Sequence, residues 1–322
     1  MVIALDIFVR AITALAVSIF GIIGNLGNIG DIHVEKPIKE MTVTFENERD
    51  YYDYIDDASN LISEGNEEDG YTYSIYKDSF ATIEYTNVHS QKLTFPSHLG
   101  GYKVIGVNYI GYSFFVEDVV FPDEIEFITC EFGKFVNLKN VSLPSMLKFI
   151  TYGAFDRCRQ LKELTVPESI DFIPATLCGE CYNLKTVKMG SNVKTIEGFA
   201  FAWCKSLENI VLPETVKEIQ TQAFDDCVSL KTINLPNSLE IIGFAAFLDC
   251  KNLKIDSLPD NLKKIDDFAF QNCKNLEELY IPNSVTKIGN RAFSGCNNLT
   301  IVTSSDYVIE YAKANNIDYR VV

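Results

Sequence analysis

A chain of 322 residues with 47% hydrophobic and 22% charged side chains can bury a large core, and by length alone it would divide into two domains. Its formal net charge of −16 argues against a nucleic-acid binder, because a phosphate-contacting surface needs clustered Lys and Arg. The two-domain estimate holds only where no internal repeat sets the architecture.

Residues 1–30 form the first segment. Its apolar run AITALAVSIFGIIG, from Ala11 to Gly24 and preceded by Arg10, suits a signal-peptide core and is short for a membrane span. Asp6 offsets the leading charge and no A-x-A-like cleavage site follows. Read from Val2 to Ile23 the segment is long enough to span, with Asp6 and Arg10 buried or near an interface. Three readings stay open: a cleaved signal, an uncleaved anchor, and a cytosolic protein or misassigned start. Membrane contact is expected only through this segment, if it is retained.

Residues 31–70 hold thirteen acids against Lys36, Lys39 and Arg49, a net of −10. Within them NERDYYDYIDDASNLISE lays Tyr51, Ile55, Ala58 and Ile62 on one helical face, which reads as a capping helix or an acidic spacer.

From about Phe121 the chain is periodic. Leu138, Leu161, Leu184, Leu207, Leu230, Leu253, Leu276 and Leu299 follow one another at 23 residues. Three positions before each, from Leu161 on, stands a Cys: Cys158, Cys181, Cys204, Cys227, Cys250, Cys273 and Cys296. Six before stands Phe132, Phe155, Phe201, Phe224, Phe247, Phe270 or Phe293, with Cys178 in that slot once. Each Leu opens a short alternating stretch closed in most coils by Pro, followed by a second apolar pair and a turn. One such unit cannot bury its own apolar face, so the units stack as parallel coils about 4.8 Å apart.

The stretch LEELYIPNSVTKIGNRAFSGCNNL resembles the repeat of the BspA-like leucine-rich repeat proteins, and the resemblance runs from about Phe121 to Leu299. The flanks resemble that family too. YTYSIYKDSFATIEYTN with KLTFPSHLGGYKVIGV is similar to its opening strand-rich segment, which places a cap and a degenerate first repeat at 71–120. The array then occupies 121–303, and SSDYVIEYAKANNIDYRVV at 304–322 is similar to the closing helix and strand. The resemblance implies a leucine-rich-repeat solenoid, β-rich, with short strands and turns in each 23-residue coil, parallel stacking, and caps at both ends. It also implies a secreted or cell-surface microbial protein that binds proteins, including host matrix proteins and other cells, with no enzymatic activity. Two coils depart from the pattern: Pro174, Cys178 and Met189-Gly190 stand where Gly, Phe and Leu-Pro are usual, and LKIDSLP puts Asp256 in an apolar slot. Drift or a local bulge explains either one.

Chemistry is sparse. The histidines are His33, His89 and His98, all ahead of the array, so the repeats hold no Ser-His-Asp or Cys-His site. No P-loop, EF-hand loop or H-E-x-x-H occurs, and no catalytic residue, metal or cofactor is expected. Cys178 and Cys181 read as two buried repeat positions or as a redox pair. The odd total of nine Cys and the coil spacing both oppose a disulfide ladder.

A binding face is the remaining candidate. The slot after each Leu holds Lys139, Lys162, Lys185, Lys231 and Lys254, interrupted by Glu208 and closed by Glu277. The slot four after holds Ser142, Thr165, Lys188, Val211, Asn234, Ser257, Tyr280 and Thr303. Candidate contacts are Lys162, Lys185, Lys188, Lys231, Lys254 and Tyr280 along the concave strand side, with Trp203 from the turn FAWCKSL. The plainer reading has the lysines keeping strand positions soluble and Trp203 packing on a neighbouring turn. The expected partner is a protein, from host matrix or a cell surface, or a glycan. An intracellular scaffold with a reduced cysteine ladder is the alternative.

Overall fold

The computed structural model describes residues 43–45, 48–66, 71–86 and 89–322, so the readings of residues 1–30 and of the acids before Val43 lie outside the described residues. The chain is a parallel-stacked β-solenoid of about ten coils of roughly 23 residues each.

The coil that begins at Leu207 shows why the sequence winds this way. Leu207, Ile210 and Leu212 are buried while Asn209 and Val211 point outward, which is the period-2 alternation of the strand Asn209–Val211. Pro213 turns the chain, and the Val216 N–H donates to its carbonyl at 3.1 Å. The strand Glu218–Ile219 then buries Ile219. On the third side Gln222 and Asp226 both take a left-handed φ of 53°. Between and at these residues, the N–H groups of Gln222, Phe224 and Asp226 donate to Phe244, Ala246 and Leu248 in the next coil at 2.8, 2.9 and 2.8 Å. Each side of the coil is therefore hydrogen-bonded to a neighbour, and the Leu, Phe and Cys slots stack into one continuous core.

The left-handed pair recurs at Thr176 and Glu180, Phe199 and Trp203, Ala245 and Asp249, and Phe268 and Asn272. Glycine fills such a slot only at Gly153 and Gly295 among these turns. Bulky residues there cost on the order of 1–2 kcal/mol each, and the inter-coil bonds, such as Phe199 N–H to the Thr221 carbonyl at 2.9 Å, hold them in place.

The two irregular coils behave differently. Around Cys178 the register is kept: Phe172–Ile173 pairs in parallel with Thr195–Ile196, and Cys178 is buried in the Phe slot. In LKIDSLP the strand is lost. Ile255 turns inward and Asp256 is exposed, because a carboxylate cannot replace Ile233 or Leu279 in the core. A parallel bridge from Ser257 to Tyr280 keeps the stack in line.

At the N-terminal end three antiparallel strands, β1 (Leu61–Asn66), β2 (Tyr71–Tyr76) and β3 (Phe80–Thr86), join the parallel short-strand ladder through Tyr102–Val107. Helix α1 is Glu48–Ile55, shorter than the helical face read from sequence. Asp57 Oδ1 accepts the Ser59 N–H at 2.9 Å and Asn60 Nδ2 donates to the Tyr54 carbonyl at 3.1 Å, so local side chains end the helix. Ala58 falls in the turn and Ile62 is exposed on β1.

Helix α1 packs on the outward row of the short-strand ladder. Tyr51 and Phe45 cluster there with Tyr76, Phe80, Ile105, Phe127 and Phe149. Tyr51 stacks on Phe127 at 4.1 Å and its hydroxyl donates to Asn108 Oδ1 at 2.7 Å. Gly106 makes room, since a Cβ there would meet the Tyr51 hydroxyl at 2.1 Å. Asn108 Nδ2 in turn donates to Glu84 Oε1 at 3.0 Å, and burial holds the Glu84 carboxyl above its ordinary range.

At the C-terminal end helix α2 (Asp306–Ala314) starts at the Ser305 cap and buries Val308 and Ala312. Tyr311 meets Phe293 edge-on at 6.4 Å, closing the aromatic stack, and Asp318–Val321 adds a last parallel strand beside Thr300–Thr303.

Candidate binding face

The longer strands of successive coils form the candidate face. Glu163, Leu164 and Thr165 pair in parallel with Thr186, Val187 and Lys188, and Asn209, Ile210 and Val211 with Thr232, Ile233 and Asn234. The middle residue of each points in and its neighbours point out. The lysine slot is fixed by the backbone: Lys185 N–H donates to the Lys162 carbonyl at 2.8 Å, Lys231 to Glu208 at 2.7 Å and Lys254 to Lys231 at 2.9 Å.

The structure separates these lysines by their partners. Lys139 pairs with Glu117 at 2.8 Å, and Lys231 with Glu208 at 2.7 Å. The hydrogen bond and charge of Lys231 hold the Glu208 carboxyl below its ordinary range, with Lys185 adding a smaller effect. Lys162, Lys185, Lys188 and Lys254 are exposed. Tyr280 is half-buried, and its backbone bonds the LKIDSLP stretch, accepting from Leu258 N–H and donating to the Asp256 carbonyl, both at 2.9 Å. It is as much a splint as a contact.

Trp203 does not belong to this face. It sits at the left-handed turn position, half-buried, its ring stacked on Phe199 at 6.4 Å and its backbone N–H donating to the Asp225 carbonyl at 2.7 Å. Sequence reading passed over Val211, the most solvent-open large apolar side chain of the described residues at 71% exposure. Its signal was an apolar residue in an outward slot. The turn side of the first coil also shows Tyr109, Tyr112, Phe114 and Phe115, all exposed.

All nine cysteines are free and buried. The thiols of Cys181, Cys204, Cys227, Cys250, Cys273 and Cys296 donate to the carbonyl of the Phe-slot residue one coil earlier at 3.1–3.2 Å. Burial, then the Cys181 thiol, push Cys178 well above the usual thiol range, and Cys296 is pushed up to about 12 by burial. At pH 8 the native protein is expected to show no fast-reacting thiol toward an aromatic disulfide reagent, and all nine once denatured. Rapid native labelling of Cys178 or Cys181 would revive the redox pair. Among the described residues no group of His, Cys, Asp or Glu is placed to hold a metal, and no helix is long and apolar enough to cross a membrane.

The family model of the BspA type leucine rich repeat region matches residues 103–230 and 173–300 in six copies. The chain belongs to the BspA-type leucine-rich repeat family. A leucine-rich repeat protein from Bacteroides ovatus is similar in fold, with a TM-score of 0.56 at 22% identity over 80% of this chain and 76% of its own. A leucine rich cell surface protein from Faecalibacterium prausnitzii aligns at 24% identity over 81% of this chain and 99% of its own, with a TM-score of 0.36. No curated protein matches the sequence. Within this BspA-type array the cysteine ladder is structural, capping carbonyls between coils.

Proposed function

We propose that this BspA-type chain is a non-enzymatic protein-binding module, displayed on or secreted from a microbial cell surface, that takes its ligand on the longer-strand face. One observation carries the choice of face: the short-strand side is occupied by α1 across its first coils, while the longer strands from Glu163–Thr165 to Thr232–Asn234 present exposed side chains coil after coil. Surface display rests on the family resemblance and on the apolar run from Ala11 to Gly24. The nine free thiols favour a second reading, an intracellular scaffold, because thiols persist in reducing compartments.

Two measurements test this. Native cells are split into cytosol, membrane and culture fluid, and the N-terminus of the product is determined. A product starting near residue 30 outside the membrane is expected, and full-length protein in the cytosol would give the scaffold the lead. Purified protein is then screened against immobilised extracellular-matrix proteins. Thr232→Arg, on the longer-strand face, is expected to weaken binding about tenfold or more, and Glu218→Arg, on the other side, to leave it unchanged. Equal binding by both variants would sink the choice of face.

A further inference from the structure

Charge on this solenoid is mostly neutralised coil by coil. Lys148 pairs with Glu126 at 2.8 Å, Lys194 with Asp171 at 3.0 Å, Lys205 with Asp226 at 3.4 Å and Lys263 with Glu240 at 2.6 Å. Where two lysines stack in the same slot, one of them has an acid. Lys194 below Lys217 holds Asp171, Lys231 below Lys254 holds Glu208, Lys251 below Lys274 holds Asp249, and Lys264 below Lys287 holds Asp266. Lys162 and Lys185 break the rule. They stack one coil apart, about 4.8 Å, and neither makes an ion pair among the described residues. Lys188, at the end of the strand Thr186–Lys188 that Lys185 directly precedes, adds a third cation, likewise without one.

Stacked like charges destabilise a pair of neighbouring strands, and on a chain of −16 an acid is the cheap remedy. The bordering acids supply it only in part: Glu208 is hydrogen-bonded to Lys231 and feels Lys185 more weakly, and Glu163 points outward without an ion pair among the described residues. A patch left with three lysines and only a shared acid marks a place where an outside group completes the pairing. Beside it, Val211 projects from the next coil at 71% exposure.

We infer that Lys162, Lys185 and Lys188 with Val211 form a subsite for an extended acidic peptide, carboxylates on the lysines and an aliphatic side chain on the valine. The inference rests on the longer-strand face being the binding face. The span fits: two coil steps are about 10 Å and the three positions from the lysine slot to the Val211 slot about another 10 Å across them, a diagonal of about 14 Å, so roughly five residues of an extended peptide at about 3.4 Å each reach from Lys162 to Val211. Val211 favours a peptide over a sulfated glycan, which carries no aliphatic side chain to cover it.

The test uses a fluorescent decapeptide Ser-Glu-Ser-Glu-Ser-Leu-Ser-Glu-Ser-Leu, which puts Glu and Leu on one face of an extended chain, its Gln-for-Glu counterpart, and a heparin oligosaccharide, each titrated with the whole protein at low salt. The Glu/Leu peptide is expected to bind, the Gln/Leu peptide at least tenfold more weakly. Lys162→Glu/Lys185→Glu/Lys188→Glu should lower affinity about 30-fold, as three exposed charge contacts are lost and reversed. The neutral set Lys162→Gln/Lys185→Gln/Lys188→Gln should fall between, and Val211→Ser should cost the peptide about threefold and heparin nothing. Undiminished peptide binding by the triple Glu variant would overturn the subsite, as would heparin binding with no peptide binding. If Thr232→Trp, which adds bulk without charge to the same face, blocks the peptide while the triple variant does not, the face stands and the subsite falls. If neither affects it, both fall.

Discussion

Phe224→Ala is expected to cost about 3–5 kcal/mol of stability, the largest loss from a single ring in the array, and to split one unfolding transition into two. Phe224 is fully buried between Phe201, at 5.5 Å and 18°, and Phe247, at 5.4 Å and 2°. The ring belongs to a stack that continues through Phe270 and Phe293 at 5.2 and 5.3 Å. Its removal leaves a cavity that cannot close, because the backbone on both sides is held at the coil spacing by bonds such as Phe224 N–H to the Ala246 carbonyl at 2.9 Å. A solenoid has no second core to compensate. Each coil touches only its neighbours, so a weak interface at Phe224 uncouples the coils before it from those after it. Urea unfolding followed by circular dichroism reads both effects. A loss below about 1 kcal/mol with one transition would show that the Leu and Cys slots, not the rings, set the coupling.

The sequence discloses this stack because a solenoid repeats its chemistry along with its geometry. Phe155, Cys158 and Leu161 have the same inward neighbours as Phe201, Cys204 and Leu207, so the same residue types recur and the 23-residue register can be read directly. The left-handed turn positions are hidden for the opposite reason. Thr176, Phe199, Trp203 and Phe268 share a conformation that is set by bonds to the next coil rather than by the side chain, and no one residue type holds the slot along the array. The Asp256 irregularity was visible as a polar residue in an apolar slot, but the inward turn of Ile255 depends on the strands to either side.

The candidate face was legible to the level of slots and no further. Lys162 and Lys185 point outward because each directly follows an inward Leu, Leu161 or Leu184, and Lys188 because it follows the inward Val187. Which lysine is neutralised depends on side-chain reach between coils, as with Lys231 and Glu208, and no pattern in one coil reports it. Trp203 drew notice by its rarity. Its turn position and its stacking on Phe199 are tertiary facts.

Helix α1 marks a further limit of sequence reading and a strong test of the fold. Tyr51→Ala is expected to release α1 from the short-strand ladder at a local cost of about 3–5 kcal/mol while leaving the distant coils folded. Tyr51 is fully buried, stacked on Phe127 at 4.1 Å and 5°, and meets Phe45 edge-on at 5.5 Å. Phe127 and Phe149 occupy the outward slot that holds Thr195, Glu218 and Lys264 in later coils, so without the helix an aromatic row would face water. That row was the sequence signal for a covering element. Tyr51→Phe keeps the ring and removes only the donor to Asn108 Oδ1, which still accepts from Thr129 Oγ1 at 3.1 Å, so its cost should be about 1 kcal/mol. Hydrogen exchange separates the outcomes. Protection in Tyr51→Ala should fall in 48–66 and in the strands carrying Ile105 and Phe127, and stay unchanged from Leu207 to Leu299. Protection lost evenly along the chain would mean that α1 nucleates the whole stack, and the array would then be a single cooperative unit rather than a row of neighbours.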